Sequence, residues 1–238
     1  MKTEPVRIQE RDKLILKYIY KFQCLQISQV AKLADIRCIK ICQRRIRKLI
    51  KSNYLAKIDI PTTLGKSPYL LYLTERTGAL FNVEVSKPRL TLTLSHQNKN
   101  SDLLIQIILS FRNSGIECEV LPEHLIRQAE NEIFPDGAFM LRKNNKSALF
   151  LMENCTGTMP LRSKNFYEDI ELKIARYSEE LFKPNAIGFY EDYFQSTFNR
   201  FRLVYIVNSN QRLAAISKIV KQYDEHGFVW LTVMKDSR

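Results

Sequence analysis

The sequence predicts an α/β protein built from two modules, and three observations carry this prediction. The chain has 238 residues, 45% of them hydrophobic, which is enough for two domains of about 80 to 150 residues each. Its positive charge is concentrated in the first third, where apolar residues recur at helical spacing. The remainder alternates between helical and strand-like segments, as expected for a sheet flanked by helices.

The charge distribution indicates a polyanionic partner. The formal net charge is +12, and residues 1–87 carry 18 Lys/Arg against 7 Asp/Glu, whereas residues 88–238 carry 19 against 18. A charge that served only solubility would be spread along the chain. The asymmetry therefore favours a basic N-terminal module that binds nucleic acid.

Other features predict a cytoplasmic protein with no membrane partner. The N-terminus is charged and lacks an apolar leader, and the most apolar run, LLIQIILSF, is too short to span a bilayer. The five cysteines form no CxxC pair, a pattern that fits reduced thiols better than a disulfide framework.

Three short helices are predicted in the N-terminal third, and the third of them has a basic face. This order is typical of a helix-turn-helix, whose last helix enters the major groove of double-stranded DNA. A basic face can also be merely solvent-exposed. The candidate DNA contacts on the third helix are Arg37, Lys40, Arg44, Arg45, Lys48 and Lys51.

A hairpin after the third helix predicts the winged variant of this motif. YLAKIDI and PYLLYLT read as strands around the glycine-containing turn PTTLGKS, with Lys66 at its tip as a further DNA contact. The following LTERTGALF resembles the Leu-Thr…Gly ending of winged helix-turn-helix domains. We therefore predict such a DNA-binding domain over residues 1–87.

The second domain is predicted over residues 95–238, after an extended connector, KPRLTLTLSHQNKN. The expected order is a helix, a strand at residues 116–121, a hairpin, a helix, a strand, a helix and a last strand, FVWLTVM. This order favours a mixed central sheet flanked by helices.

The hairpin NEIFPDGAFMLRKNNKSALFLMENCTGT predicts a metal site. If Asn144 and Asn145 form the turn, Asp136 lies directly opposite Glu153, with Cβ atoms about 4.5 to 5.5 Å apart. Two carboxylates this close repel each other, and a protein rarely keeps such a pair unless a cation between them offsets the repulsion. Mg²⁺ or Mn²⁺ prefers such oxygen ligands. A register slip of one residue would instead place the two acids on opposite faces.

Pro135-Asp136, the following strand and Glu153 at the end of the next strand resemble the PD-(D/E)xK nuclease motif. The resemblance implies that both acids bind a metal ion that activates water and stabilises the leaving oxygen. A lysine normally stands two residues after the second acid, where this chain has Cys155. Either Lys173 of the next helix supplies that ammonium group, or the site is degenerate and the domain only binds.

A second resemblance covers nearly the whole chain. The winged domain together with His96, the Pro-Asp pair, Glu153-x-x-x-Gly157-Thr158 and Lys173-x-x-x-Tyr177 looks like the replication-relaxation family of plasmids and integrative elements. That family implies a role in the replication, mobilisation or nicking of mobile-element DNA. It also implies replication, transposition or mobilisation proteins as partners, and helix-turn-helix proteins often form homodimers. The alternative is a non-catalytic DNA-binding regulator or assembly factor.

Overall fold

The computed structural model describes residues 7–60, 69–85, 87–88, 93–128, 133–155, 160–161, 169–183, 185–224 and 227–233. The chain divides into two compact units, Met1–Leu109 and Ser110–Arg238. This division falls within a long helix, further along the chain than the limits expected at residues 87 and 95. The predicted domain limits stay a prediction.

The first unit contains a three-helix segment followed by a hairpin and two further helices. In chain order its described elements are α1 (Glu10–Phe22), α2 (Ile27–Leu33), α3 (Ile39–Lys51), β1 (Leu55–Asp59), β2 (Tyr69–Leu73), α4 (Glu75–Phe81) and most of α5 (Thr93–Phe111).

Apolar residues at helical spacing direct one face of α1 and of α3 into the core of this unit. Ile15 and Ile19 of α1 and Ile46 and Leu49 of α3 are fully buried. The opposite face of α3 is left in contact with solvent, which is the arrangement that the charge pattern predicted.

The hairpin after α3 is antiparallel, with Leu55 opposite Leu73 and Asp59 opposite Tyr69. Leu25, between α1 and α2, exchanges backbone hydrogen bonds with Leu71 at 3.0 and 2.8 Å, which ties β2 to the helices. Residues 61–68, including Lys66, lie outside the described part of the chain.

Helix α5 begins earlier than the sequence indicated, and a tertiary contact reaches its polar N-terminal half. The Gln29 side-chain amide donates hydrogen bonds to Asn98 Oδ1 and Asp102 Oδ1, both at 3.0 Å. Gln29 itself is buried, so these bonds satisfy a polar group that would otherwise be costly. The segment that read as an extended connector is helical from Thr93 onward.

The second unit is built on a five-stranded sheet of order β3-β4-β5-β6-β7, antiparallel from β3 to β5 and parallel from β5 to β7. The predicted mixed α/β sheet is therefore confirmed. Its described elements are β3 (Glu117–Pro122), α6 (Glu123–Ile126), β4 (Gly137–Lys143), β5 (Lys146–Cys155), α7 (Ile170–Glu180), α8 (Gly188–Phe194), β6 (Arg200–Val207), α9 (Asn210–Tyr223) and β7 (Val229–Val233).

The predicted register of the β4–β5 hairpin is confirmed from Lys143 opposite Lys146 to Gly137 opposite Met152. Asn144 and Asn145 have φ values of 48° and 60°, which fits the left-handed conformation that tight two-residue hairpin turns require. The turn residues and the alternating apolar pattern therefore agree on one pairing.

Two helices cover one face of this sheet. Asp169 accepts a hydrogen bond from Leu172 N at 2.8 Å to begin α7, and Ser209 caps α9 in the same way. Ile174 of α7 and Ile216 of α9 share a buried cluster with Leu149 and Leu203 of the sheet. Helices α6 and α8 were not expected from the sequence, since each is at most seven residues long.

Among the described residues, no helix combines the length and apolarity needed to cross a membrane.

Candidate functional site

Asp136 lies one residue before β4. The last pair of the confirmed hairpin register is Gly137 with Met152, so Asp136 and Glu153 are the residues that adjoin this pair. Asp136 Oδ2 accepts a hydrogen bond from the backbone N–H of Asn154 at 2.8 Å. This bond fixes the Asp136 carboxylate beside the last residues of β5. The two acids that the sequence singled out are therefore neighbours across the hairpin.

Glu153 is almost completely buried and its two oxygens have different partners. Lys173 Nζ lies 2.7 Å from Oε2, and the Tyr177 hydroxyl donates to Oε1 at 2.5 Å. Lys173 and Tyr177 are four residues apart on α7, so both point from the same face of the helix toward β5. The structure thus brings together the predicted residues Asp136, Glu153 and Lys173, and adds Tyr177 of the Lys173-x-x-x-Tyr177 pattern.

Burial raises the pKa of Glu153 to about 7. Lys173 favours the ionised carboxylate and lowers this pKa, while the nearby Asp136 raises it. Desolvation and the Glu153 charge together raise the pKa of Tyr177 well above its usual value, so the Tyr177 hydroxyl remains a donor. A buried acid between an ammonium group and a second carboxylate is a pattern found at functional sites.

Glu123 is a third acid of this cluster, and it was not among the residues predicted from the sequence. One of its carboxylate oxygens lies within 4.8 Å of an Asp136 carboxylate oxygen. The β3–β4 register explains this proximity, since Pro122 pairs with Gly137 at the end of the ladder, and Glu123 and Asp136 are the residues that adjoin this last pair. Fourteen residues separate β3 from β4 along the chain, so no short turn defined their register in the sequence. The only signal was an acid two residues after the strand predicted at residues 116–121.

A cleft of about 270 Å³ opens beside these acids. Asp136, Lys173 and Tyr177 line it together with two exposed arginines, Arg127 and Arg176. The Arg127 guanidinium donates to Glu123 Oε1 at 2.7 Å and lies over the Phe134 ring at 5.7 Å. Guanidinium groups match the geometry of phosphate oxygens, so the cleft can receive a phosphate ester beside its carboxylates.

Glu123 and Asp136 place carboxylate oxygens within 4.8 Å of each other, an arrangement that fits a hard divalent cation. Asp136, Glu123 and Glu153 offer carboxylate oxygens, the ligands that Mg²⁺ and Mn²⁺ prefer. Cys155 cannot replace the motif lysine, because it is a buried thiol with the Arg212 guanidinium 3.4 Å from its Sγ. The ammonium group at this site comes from Lys173.

The second candidate site is the basic face of α3. The exposed cations at this face, which we call the α3 cations, are Arg37, Lys40, Arg44, Arg47, Lys48 and Lys51. Arg47 was not among the predicted contacts, although its position on the helix places it within the same arc as Lys40 and Lys51.

Arg45, also expected on that face, has a different surrounding. Its guanidinium forms a bidentate ion pair with the fully buried Asp12, with Nε 2.6 Å from Oδ1, and donates to the Arg7 carbonyl at 2.9 Å. Its side chain is only 13% exposed. Arg45 therefore links α3 to α1 instead of facing solvent, and the predicted contact Lys66 lies outside the described residues.

No family model matches the chain, and no curated protein matches it. Among solved structures, the chain is similar to restriction endonuclease FokI, with a TM-score of 0.31 and 13% identity, covering 94% of this chain and 41% of that one. The structure of FokI bound to DNA gives a TM-score of 0.30 and 14% identity, covering 93% and 42%. The chain thus spans about two fifths of the length of these FokI chains, and TM-scores at this level are below those of proteins that share a fold.

Proposed function

We propose that the protein binds double-stranded DNA through a winged helix-turn-helix in its first unit, with α3 in the major groove. The six exposed α3 cations carry this proposal, because five of them occupy one face of the helix, Arg37 lies just before its start, and α3 contains no acid. Arg45 is left out of the contact set, since Asp12 already neutralises it. Phosphate contacts by such cations give affinity that falls steeply with salt.

The test compares two double substitutions that remove equal charge. Arg44→Ala/Lys48→Ala is expected to weaken binding to duplex DNA and to reduce the slope of log K against log salt by about 1.8. Lys13→Ala/Lys17→Ala removes two exposed lysines of α1 and is expected to change both quantities much less. Equal effects of the two variants would refute the assignment of α3.

We further propose that the second unit cleaves or nicks DNA with a divalent metal ion. The convergence of Asp136, Glu153 and Glu123 with Lys173 beside an arginine-lined cleft supports this reaction. Asp136 and Glu153, with Glu123 added, would hold Mg²⁺ or Mn²⁺, which when bound polarises a phosphodiester and lowers the pKa of water.

The protein side chains have distinct roles in this proposal. Arg127 and Arg176 orient the phosphate, and Lys173 balances the negative charge of the carboxylates and of the pentavalent transition state. Tyr177 holds Glu153 in one rotamer through its hydrogen bond. The resemblance to the PD-(D/E)xK motif is consistent with these roles, with Lys173 in place of the lysine that Cys155 replaces.

The resemblance to the replication-relaxation family suggests the cellular process in which the protein acts. We infer a cytoplasmic protein that processes the DNA of a mobile element during replication or mobilisation, as a homodimer or with other proteins of that process. Domain limits near residues 87 and 95 belong to the same proposal.

Supercoiled plasmid carrying the element's own origin provides the test of cleavage. With Mg²⁺ or Mn²⁺ the wild-type protein is expected to produce nicked or linear plasmid, and Asp136→Asn is expected to abolish this activity. Asp192→Asn, which alters an exposed acid of α8, serves as the matched control. Cleavage that survives Asp136→Asn would exclude the site.

A second function has its own supporting observation. Both oxygens of Glu153 already have partners, and the motif lysine is replaced by a thiol. A wild-type protein that binds duplex DNA but leaves plasmid intact would support this alternative, in which the second unit is a non-catalytic assembly or regulatory domain.

A further inference from the structure

The second unit has a sheet face that the proposed function does not use. Side chains alternate along a strand, so β5 directs Leu149, Leu151 and Glu153 toward α7 and α9, and Phe150 toward the opposite face. The strand registers place cations and aromatic rings of neighbouring strands on that opposite face. We call it the aromatic–cationic face; its members are Lys143, Lys146, Phe150, Arg200, Arg202 and Trp230.

The aromatic part of this face is a connected stack with one exposed end. Phe150 lies parallel to Phe139 with ring centroids 4.7 Å apart, and Trp230 is tilted against Phe150 at 5.8 Å. The Arg202 guanidinium lies 5.5 Å from the centre of the Trp230 ring. Trp230 is 52% exposed, an unusual state for the largest apolar side chain.

The cationic part borders this stack. Lys143 and Lys146 face each other across the hairpin, and Arg200 is paired with Ala148 on the adjacent strand. All three cations are exposed and line a groove of about 830 Å³. None of the described strand residues on this face is acidic, so no strand carboxylate of this face offsets the charge of Lys143, Lys146 and Arg200.

Hydrogen bonds make the floor of the groove rigid. Ser147 N donates to Asn199 Oδ1 at 3.2 Å, and Asn199 N donates to the Ser147 carbonyl at 3.1 Å. The cations are therefore mounted on a preformed surface, which lowers the entropic cost of binding.

We propose that the aromatic–cationic face binds single-stranded nucleic acid. Proteins that hold single strands without sequence preference combine a basic groove for the phosphates with aromatic rings on which unpaired bases stack. Four strands separated by about 4.8 Å give the face a width of roughly 14 Å. Four residues of β5 at about 3.3 Å each give it a length of roughly 13 Å, and this area is enough for a few nucleotides. Duplex bases cannot stack on Trp230 because they are already stacked on each other.

This proposal does not depend on cleavage or on α3. Glu153, Lys173 and Tyr177 lie on the other face of the sheet, and the α3 cations belong to the first unit. Substitutions on the aromatic–cationic face therefore leave both proposed sites unchanged, so failure here can be distinguished from failure there.

Trp230 is the only tryptophan in the sequence, so its fluorescence reports on this face alone. Full-length protein carrying Arg44→Ala/Lys48→Ala is titrated with oligothymidylate and with oligouridylate of about 15 nucleotides. Saturable quenching of Trp230 fluorescence is expected, and the relative affinities identify DNA or RNA as the preferred strand.

Matched variants test the two components. Lys143→Ala/Lys146→Ala is expected to lower the slope of log K against log salt by about 1.4, whereas Lys218→Ala/Lys221→Ala, which changes two exposed lysines of α9, is expected to leave it unchanged. Trp230→Ala, followed by anisotropy of a labelled oligonucleotide, is expected to weaken binding about 5- to 150-fold, and Trp230→Phe to restore most of the affinity.

Several outcomes would overturn the proposal. One is that neither oligonucleotide quenches Trp230 fluorescence. Another is that quenching occurs but its salt dependence is unchanged in Lys143→Ala/Lys146→Ala. Equal quenching by polyglutamate would assign the face to an acidic polypeptide. Quenching that follows protein concentration without oligonucleotide would assign it to a second copy of the chain.

Discussion

Helices α3 and α7 both carry cations, but the surroundings of these cations differ. Arg44 and Lys48 of α3 are exposed to solvent. Arg45, on the same helix, is paired with a fully buried Asp12, and Lys173 of α7 is paired with the buried Glu153. The side chains of Arg45 and Lys173 are only 13% and 14% exposed.

This difference shows that a lysine or arginine acquires its role from the carboxylate it meets. An exposed cation keeps its charge available for a polyanion, whereas a cation that neutralises a buried acid belongs to the folded structure or to a site. The comparison predicts a ranked series of effects on stability.

Removal of the buried acid of the first unit should have the largest effect. Asp12→Ala leaves Arg45 partly buried without its carboxylate, and we expect the free energy of unfolding to fall by about 3–5 kcal/mol. Urea unfolding followed by circular dichroism measures this change.

Two variants separate the causes of that loss. Asp12→Asn keeps the hydrogen-bond acceptor for the Gln9 amide at the start of α1 but removes the charge. Asp12→Leu/Arg45→Met removes both charges and should recover much of the stability, since apolar replacements of a buried ion pair are often tolerated. A loss in Asp12→Ala no larger than in Glu10→Ala, which disrupts a surface pair with Lys13, would contradict the comparison.

The pH dependence of stability should show an intermediate effect. The folded-state pKa of Glu153, about 7, lies above the ordinary value of 4.5. The folded protein therefore binds more protons than the unfolded chain between these values. Glu153 contributes stability that is fully present below about pH 4.5 and is lost as the pH rises through about 7, on the order of 3 kcal/mol.

Glu153→Gln provides the control for this prediction. The unfolding free energy of the metal-free wild type, minus that of the variant, should decrease as the pH rises across this window. Burial lowers the pKa of His124 to about 4, so this histidine contributes with the opposite sign, but it is present in both proteins and cancels. A difference that is independent of pH would show that Glu153 remains ionised throughout.

The exposed cations of α3 should give the smallest effect on stability. Arg44→Ala/Lys48→Ala is expected to change the free energy of unfolding by less than about 0.5 kcal/mol, because neither side chain is buried. The same urea experiment measures it. A large loss would mean that these residues support the fold, and the weakened DNA binding of the variant would then have a trivial cause.

Much of the second unit could be predicted because its signals are local. The Asn144-Asn145 turn and the alternation of apolar residues on each side determine one register, and that register brings Asp136 toward Glu153. Periodicity likewise identified the main helices, and apolar, β-branched segments identified the strands β6 and β7. The beginning of α5 was not predicted, since its N-terminal half is polar and is contacted by the distant amide of Gln29.

By itself, then, the sequence determined the mixed α/β class, the hairpin register, the apolar faces of the helices and the concentration of charge on α3. Only the tertiary structure decided which charges meet. It paired Arg45 with Asp12, brought Lys173 to Glu153 and placed Glu123 beside Asp136. The physical reason is that periodicity and turn chemistry depend on neighbours within a few residues, whereas an ion pair depends on residues that approach each other only when separate elements pack.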